Sequence, residues 1–327
     1  MTKAVRVHKT GGPETLVYED VDVPAPAAGE IRIRQHAVGV NFIDVYYRTG
    51  LYKAPSLPFI VGNEAAGEVV SVGPGVTNFH PGDRVAYYTN LGGYANERNV
   101  AWEKLVKLPD HITYEQGAVL MLKGLTVWYL LHKTFKVEPH HRVLIHAAAG
   151  GIGLLACQWA RALGAHVIGT VGSRAKADLA LANGCDHVIL YNDEDFVARL
   201  RDETKGADVV FDIMGASYLD RNIDALATDG QLVIIGMQGG VKGELNLGKL
   251  LVKRARVIGT TLRGRPVSGP NSKSEIVAAV TASVWPMIAD GRVRPVIGAV
   301  FPVQEAADAH KALADGDVVG KVMLRIE

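Results

Sequence analysis

The residues best suited to chemistry lie in one run, Val143-Leu-Ile-His-Ala-Ala-Ala-Gly-Gly-Ile-Gly153, where an apolar stretch stops in small residues and restarts as a helical pattern. An apolar run with Val and Ile reads as a buried strand, and Leu154 to Leu163 spaces its apolar residues for a helix that Gly164 ends. The junction Ala148-Ala-Gly150-Gly-Ile-Gly153 matches the G-x-G-x-x-G dinucleotide fingerprint with Ala in place of the first glycine. The tight turn is therefore expected at Ala148, a residue that carries a Cβ. Ala149, Gly150, Gly151, Ile152 and Gly153 become candidate cofactor contacts. Gly150 lets the backbone approach a pyrophosphate, Gly153 lets the helix pack close to the strand, and the helix N-terminus faces the anion. A glycine-rich turn that holds no ligand is the competing reading.

The next strand, His166 to Val171, decides which dinucleotide is expected. An NAD-specific site usually ends this strand in Asp or Glu, to bind the ribose 2′-hydroxyl. Here the chain runs Gly172-Ser-Arg-Ala-Lys176, placing Ser173, Arg174 and Lys176 where a 2′-phosphate would lie. Arg pairs with phosphate through two parallel bonds, and Lys adds a point charge. Cations at a helix start oppose its dipole, so a solvated basic turn is the weaker explanation. NADPH is the expected cofactor.

These residues need a scaffold. The chain has 327 residues, enough for two domains, and its 48% hydrophobic and 21% charged composition is that of a folded chain rather than a disordered one. From Met1 to about Gln116 short alternating segments such as Glu30 to Arg34 are punctuated by Pro24-Ala-Pro, Gly73-Pro-Gly and Pro81-Gly-Asp. This pattern predicts a partly open barrel or sandwich. Leu125 to Phe135 reads as a helix, and strands then alternate with helices: Val143–His146, His166–Val171, His187–Tyr191, Asp208–Ile213, Leu232–Ile235 and Val257–Thr261, with helices that include 193–204 and 218–227. Repeated βαβ units imply a doubly wound parallel sheet, so the fold class is α/β: a Rossmann sheet plus a partly open β-barrel-like domain. The expected division is 1–124, then 125–264, then a return segment 265–327 that completes the first domain.

The whole layout resembles the medium-chain dehydrogenase/reductase superfamily. Within it the chain is most similar to the zinc-free quinone oxidoreductases of the zeta-crystallin type. The residues that carry the likeness are Gly39-Val-Asn-Phe-Ile-Asp-Val-Tyr46, Arg48-Thr-Gly-Leu-Tyr52, Gly62-Asn-Glu-Ala-Ala-Gly67, Lys123-Gly-Leu-Thr126 and His146 to Gly153. The first domain is then expected to be GroES-like. Where zinc alcohol dehydrogenases have a Cys and a Gly-His-Glu, this chain has Asn41 and Gly62-Asn63-Glu64, and no metal site is expected, because catalytic zinc takes His, Cys or carboxylate ligands. Without a Lewis acid the substrate must already accept hydride, as a quinone or an activated alkene does. The resemblance implies that Asn41, Tyr46 and Tyr52 line the nicotinamide and substrate end. Tyrosine can stack on a flat ring and donate to its carbonyl, but both tyrosines read equally well as packing aromatics. The resemblance also assigns Thr126, Tyr191, Gly236, Met237, Gln238, Arg263 and Lys321 to the cofactor. Lys123 reads either as part of that set or as a surface cation, and Asp44 as an acid at a helix N-terminus.

An NADPH:quinone reductase is the leading expectation, with an NADPH-dependent alkenal or enoyl reductase as its nearest rival. From a different class, the resemblance leaves open a nucleotide-gated RNA-binding or crystallin-like structural protein. A net charge of +1 with interspersed signs disfavours a nucleic-acid surface, whose affinity is largely electrostatic. No run approaches the roughly 18 apolar residues of a membrane span. The opening residues lack the apolar core of a signal peptide, and Cys157 and Cys185 are too few for a disulfide framework, so a cytoplasmic location is the default expectation. An exposed last strand, Arg256 to Leu262, predicts a homodimer through the sheet edge.

Overall fold

The computed structural model describes residues 1–88, 91–316 and 318–327, with every side chain in those ranges except that of residue 203. The chain forms two units. The first comprises 1–124, 277–289 and 295–327, and the second 125–276 with 290–294.

In chain order the first unit begins with β1 (Thr2–Val7), β2 (Leu16–Val21), β3 (Glu30–Val40), α1 (Phe42–Thr49), β4 (Phe59–Ile60), β5 (Glu64–Val72), β6 (Arg84–Tyr88), β7 (Glu97–Ala101) and β8 (Leu105–Lys107). Helix α2 (Tyr114–Tyr129) leads out of it. The second unit follows with β9 (Arg142–His146), α3 (Gly151–Ala162), β10 (His166–Val171), α4 (Arg174–Ala182), β11 (His187–Leu190), α5 (Phe196–Thr204), β12 (Ala207–Asp212), α6 (Leu219–Ala225), β13 (Leu226–Ile234), α7 (Leu247–Lys253) and β14 (Arg256–Gly259). Helix α8 (Lys273–Ala289) returns the chain, and β15 (Ile297–Pro302), α9 (Ala306–Asp315) and β16 (Lys321–Arg325) finish the first unit.

The first unit is organised on β3, a long strand that pairs antiparallel with β5, β7 and β16. The sheet order β15-β16-β3-β5-β6-β8 is flanked by a smaller sheet, β2-β1-β4. Inward-facing residues of these strands, among them Val5, Ile31, Ile33, Val69, Val85 and Leu324, pack into one core with Tyr47 and Tyr94. Register does more here than bury apolar surface. Gly39 of β3 lies opposite Glu64 of β5 and Met323 of β16, which brings Asn41, Glu64 and Lys321 to one end of three neighbouring strands.

In the second unit all six strands run parallel in the order β11-β10-β9-β12-β13-β14. This is the doubly wound order that changes direction between β9 and β12, where nucleotides bind such sheets. The central strands β9, β10 and β12 are buried almost throughout. Strands covered on both faces read as continuous apolar runs, and this made them legible in the sequence.

Several elements differ from the sequence expectation. Helix α2 starts at Tyr114 rather than Leu125, capped by Thr113, whose Oγ1 accepts from Gln116 N at 3.2 Å while the Gln116 carboxamide accepts from Thr113 N at 3.0 Å. Strand β13 starts at Leu226, where a helix was expected to reach 227, and the short helix α7 carries no strong periodicity. The tight turn is made by Ala147 at φ 52°, not by Ala148. Ala148 is fully buried, donates its N–H to Thr170 O at 3.1 Å, and fits because Gly169 opposite has no side chain. A Cβ on Gly169 would sit 2.6 Å from Ala148 Cβ.

Candidate active site

The second unit supplies a nucleotide-binding face. Gly150 precedes α3 in extended conformation and its carbonyl accepts from Leu154 N at 2.9 Å, so the N–H groups of Gly151, Ile152 and Gly153 form the unpaired first turn of the helix. A helix start of this kind binds anions. Gly153 cannot carry a side chain, because its Cβ would lie 2.6 Å from Ala148 O. His146, the last residue of β9, ties the sheet together beneath the turn. Its Nδ1 meets Thr170 Oγ1 at 2.9 Å and its Nε2 meets Asn222 Oδ1 at 2.7 Å. Asn222 Oδ1 can only accept, so Nε2 carries the proton. Burial pushes the imidazole pKa down to about 4, and the ring is neutral.

Beyond β10 the chain places Gly172 against the Tyr191 hydroxyl, since a Cβ there would lie 2.6 Å from it. Ser173 caps α4, its Oγ accepting from Lys176 N at 3.4 Å. The hydroxyl hydrogen of Ser173 remains available to a ligand. Arg174 is largely exposed and pairs with Asp178 at 3.7 Å. No acidic residue ends β10. Tyr191 is 40% exposed at the end of β11, too open for a core residue. Asn192, which the sequence reading missed, fixes this corner by donating to Gly172 O at 2.8 Å. Gly236, Met237 and Gln238 form the loop after β13. The loop is laced to the one after β12: Gln238 N donates to Ile213 O and Gly239 N to Met214 O. The Asp212 carboxylate accepts from Met214 N and Gly215 N, and burial raises its pKa. Thr126 is buried near the start of the second unit, and Arg263 is exposed.

The first unit holds a different assembly, a dry network of charges. Lys321 Nζ donates to Val40 O at 2.9 Å, Asn41 Oδ1 at 2.8 Å and Glu64 Oε1 at 2.8 Å, which exhausts its three donors. Asn41 Nδ2 donates to Gly39 O and to the same Glu64 Oε1, at 3.1 and 2.9 Å. Glu64 Oε2 accepts from Leu122 N at 2.7 Å. Both Glu64 and Lys321 are nearly sealed from water, with side chains 0% and 6% exposed. Gly39 leaves space for the carboxylate, because a Cβ there would lie 2.7 Å from Ala118 O and closer still to Glu64 Oε1.

A second chain of bonds joins this cluster. Arg48 Nη1 meets His310 Nδ1 at 3.2 Å, His310 Nε2 meets Tyr94 Oη at 3.0 Å, and Tyr94 Oη donates to Asp44 Oδ2 at 3.1 Å. Arginine only donates, so His310 accepts at Nδ1 and donates from Nε2, and all the donors point toward Asp44. Asp44 also takes the N–H of Asn41 and the amide of Asn63. The expected helix N-terminal acid is thus also the sink of a buried network. Burial nonetheless raises its pKa to about 6. Burial, with the Arg48 charge as a second cause, drives His310 down to about 3.

Asn41 and Lys321, read from the sequence as cofactor-facing, spend their polar atoms on each other and on Glu64. The reading missed Glu64, Tyr94, Arg48 and His310, because a hydrogen-bond chain drawn from five separate segments leaves no local spacing. Tyr46 and Tyr52 pack edge to face at 5.3 Å between ring centroids, both half-buried. Burial and the neighbouring Tyr52 raise the Tyr46 pKa.

This donor set does not fit zinc. Asn41 and Asn63 offer only amide oxygens, which already accept from Lys321 and Leu91 N, and the Glu64 oxygens are taken. Among the described residues no group of three or more His, Cys, Asp or Glu is placed to hold a metal ion.

The alcohol dehydrogenase GroES-like domain matches residues 27–110, and the zinc-binding dehydrogenase family matches 151–280. The chain is 43% identical to a quinone oxidoreductase of Pseudomonas aeruginosa over 99% of both chains. It is 40% identical to a 2-haloacrylate reductase of a Burkholderia species over 99% of both. The crystal structure of Escherichia coli quinone oxidoreductase complexed with NADPH superposes with a TM-score of 0.91 at 40% identity, covering 99% of each chain.

The buried groups set opposite pH dependences. A histidine held near 3 in the fold and about 6.5 when unfolded contributes stability that is complete above pH 6.5 and is lost as pH falls. Asp44, raised to about 6, contributes in the other sense: its share is present at low pH and lost as pH rises through 6. His310→Gln should therefore flatten the loss of stability between pH 7 and 5, and Asp44→Asn should steepen it, each by roughly 1–2 kcal/mol over that window. Urea midpoints across the range test this, and parallel curves for wild type and both variants would refute it.

Proposed function

The chain belongs to the quinone oxidoreductase family of medium-chain dehydrogenases/reductases, and on that premise we propose that it reduces quinones with NADPH and without zinc. One observation carries the zinc-free part: at the positions where zinc dehydrogenases have Cys and His, Asn41 and Asn63 offer only amide oxygens, which already accept from Lys321 and Leu91 N. NADPH, when bound, supplies hydride. The protein's task is to hold both reactants and to keep water out.

The α3 N-terminus with Ala149 to Gly153 takes the pyrophosphate in this reading. Ser173, Arg174 and Lys176 take the 2′-phosphate, and Gly172 and Tyr191 frame the adenosine. Thr126, Gly236, Met237, Gln238 and Arg263 are assigned to the nicotinamide half of the cofactor. Tyr46 and Tyr52 hold the flat face of the acceptor, and Asn41 with Lys321 keeps α1, which carries Tyr46, in register. An activated alkene meets the same chemical requirement as a quinone, since both accept hydride unaided. The full-length likeness to a 2-haloacrylate reductase favours it as a second reading.

A homodimer belongs to the same proposal. Leu247, Leu251 and Val252 of α7 are 69–77% exposed beside the edge strand β14, an apolar face that a second copy of the chain would cover. No helix among the described residues is long and apolar enough to cross a membrane. Two cysteines in 327 residues suit a reducing compartment, and we place the protein in the cytoplasm.

Oxidation of NADPH and NADH with 1,4-benzoquinone, 9,10-phenanthrenequinone and an alkenal is the direct assay. NADPH should be preferred, and Arg174→Ala with Lys176→Ala should raise its KM by roughly 10- to 100-fold while leaving that for NADH nearly unchanged. A wild-type preference for NADH would overturn the phosphate assignment. Sedimentation should give a dimer that Leu251→Glu with Val252→Glu converts to monomer; a monomeric wild type would overturn the interface.

A further inference from the structure

Two buried cations of the first unit have their counter-charge. Arg48 is offset by Asp44 through His310 and Tyr94, and Lys321 is offset by Glu64. Lys123, on α2 one residue after the Leu122 N–H that binds Glu64, has no hydrogen bond or ion pair among the described residues. It makes none with Glu64, whose Oε1 accepts from Lys321 and Asn41 and Oε2 from Leu122. It makes none with Asp44 either, which takes Asn41 N, Asn63 and Tyr94. The side chain is half-buried, neither sealed in the core nor free in water. A desolvated ammonium without an acceptor costs free energy unless a ligand supplies the oxygen.

Resting on the reading that the chain reduces carbonyl acceptors, we propose that Lys123 is a catalytic residue that donates to the oxygen of the substrate and protonates it on reduction. The step balances. Hydride leaves NADPH, which becomes NADP⁺, and adds to the acceptor; the electron pair that develops on oxygen takes a proton from Lys123 Nζ, breaking N–H as O–H forms. Solvent then reprotonates the amine. The groups that face Lys123 are Lys321 on β16, Glu64 on β5 and Asp44 on α1. Burial, then the Lys321 charge, lowers its pKa to about 8, and the two carboxylates pull the other way. An acid in that range is suited to work near neutral pH, whereas Tyr46 is shifted upward and gives its proton less readily.

Two measurements on the full-length protein test this. The first needs no turnover. After reductive methylation with ¹³C-formaldehyde, the Lys123 resonance, identified by its absence in Lys123→Arg, should titrate near pH 8 and shift when hydroquinone is added. The second is kinetic. Wild-type kcat/KM for benzoquinone should fall above about pH 8, and Lys123→Met should lower it about a hundredfold while NADPH affinity stays within threefold. Lys123→Arg should retain part of the activity and move the alkaline limb upward. A Lys123 resonance that titrates as an ordinary lysine and ignores hydroquinone would overturn the inference, as would a Lys123→Met enzyme within threefold of an active wild type. A wild type that oxidises NADPH with neither quinones nor alkenals would overturn the functional reading itself, and the inference with it.

Discussion

A carboxylate and an ammonium removed from water must neutralise each other and find hydrogen-bond partners within the protein, and the Glu64–Lys321 pair does so. Val40 O and Asn41 come from the end of β3 and Leu122 N from α2, so the pair fixes β3, β5, β16 and α2 at a single point. Removing one partner from such a pair typically costs about 3–5 kcal/mol, because the other is left buried and alone. Gly39 is the condition for the arrangement, since any side chain there would enter the carboxylate's space. The pair also keeps Asn41, the residue before α1, in one orientation, and α1 carries Tyr46.

The second unit meets its own constraint by exchanging side-chain volume. The fingerprint wants a backbone without side chains near a phosphate, yet Ala148 stands at its first glycine position. The chain moves the left-handed turn to Ala147 and gives the Ala148 methyl the space that Gly169 leaves on β10. A non-glycine residue in that backbone region is strained by the order of 1 kcal/mol, which the packed sheet offsets.

The parallel sheet was legible because its central strands are buried on both faces and most helices between them are periodic. The candidate nucleotide face could be named from the sequence because it lies on consecutive residues, Ala148 to Gly153 and Gly172 to Lys176. Helix α2 was read too short, since its first turn is set by the Thr113–Gln116 cap rather than by apolar spacing. The network of Arg48, His310, Tyr94 and Asp44 could not be read at all. Bonded members lie up to 262 positions apart, and the packing of α9 on α1, with the antiparallel register of β16 on β3, brings the chain's end to its beginning. Lys123 stood in a quoted motif with its role undecided; what distinguishes it is that among the described residues it bonds to none of the acceptors around it, a fact about packing that spacing does not carry.

The central claim is that Asn41, Glu64 and Lys321 satisfy one another by hydrogen bonds and hold no zinc, so that the reduction runs without a metal. The most direct measurement is the zinc content of the purified, active protein by elemental mass spectrometry, paired with NADPH-dependent quinone reduction before and after exhaustive chelation. The account predicts well below one zinc per chain and a rate that chelation leaves unchanged. Stoichiometric zinc, with activity lost to the chelator and restored by the metal, would contradict it.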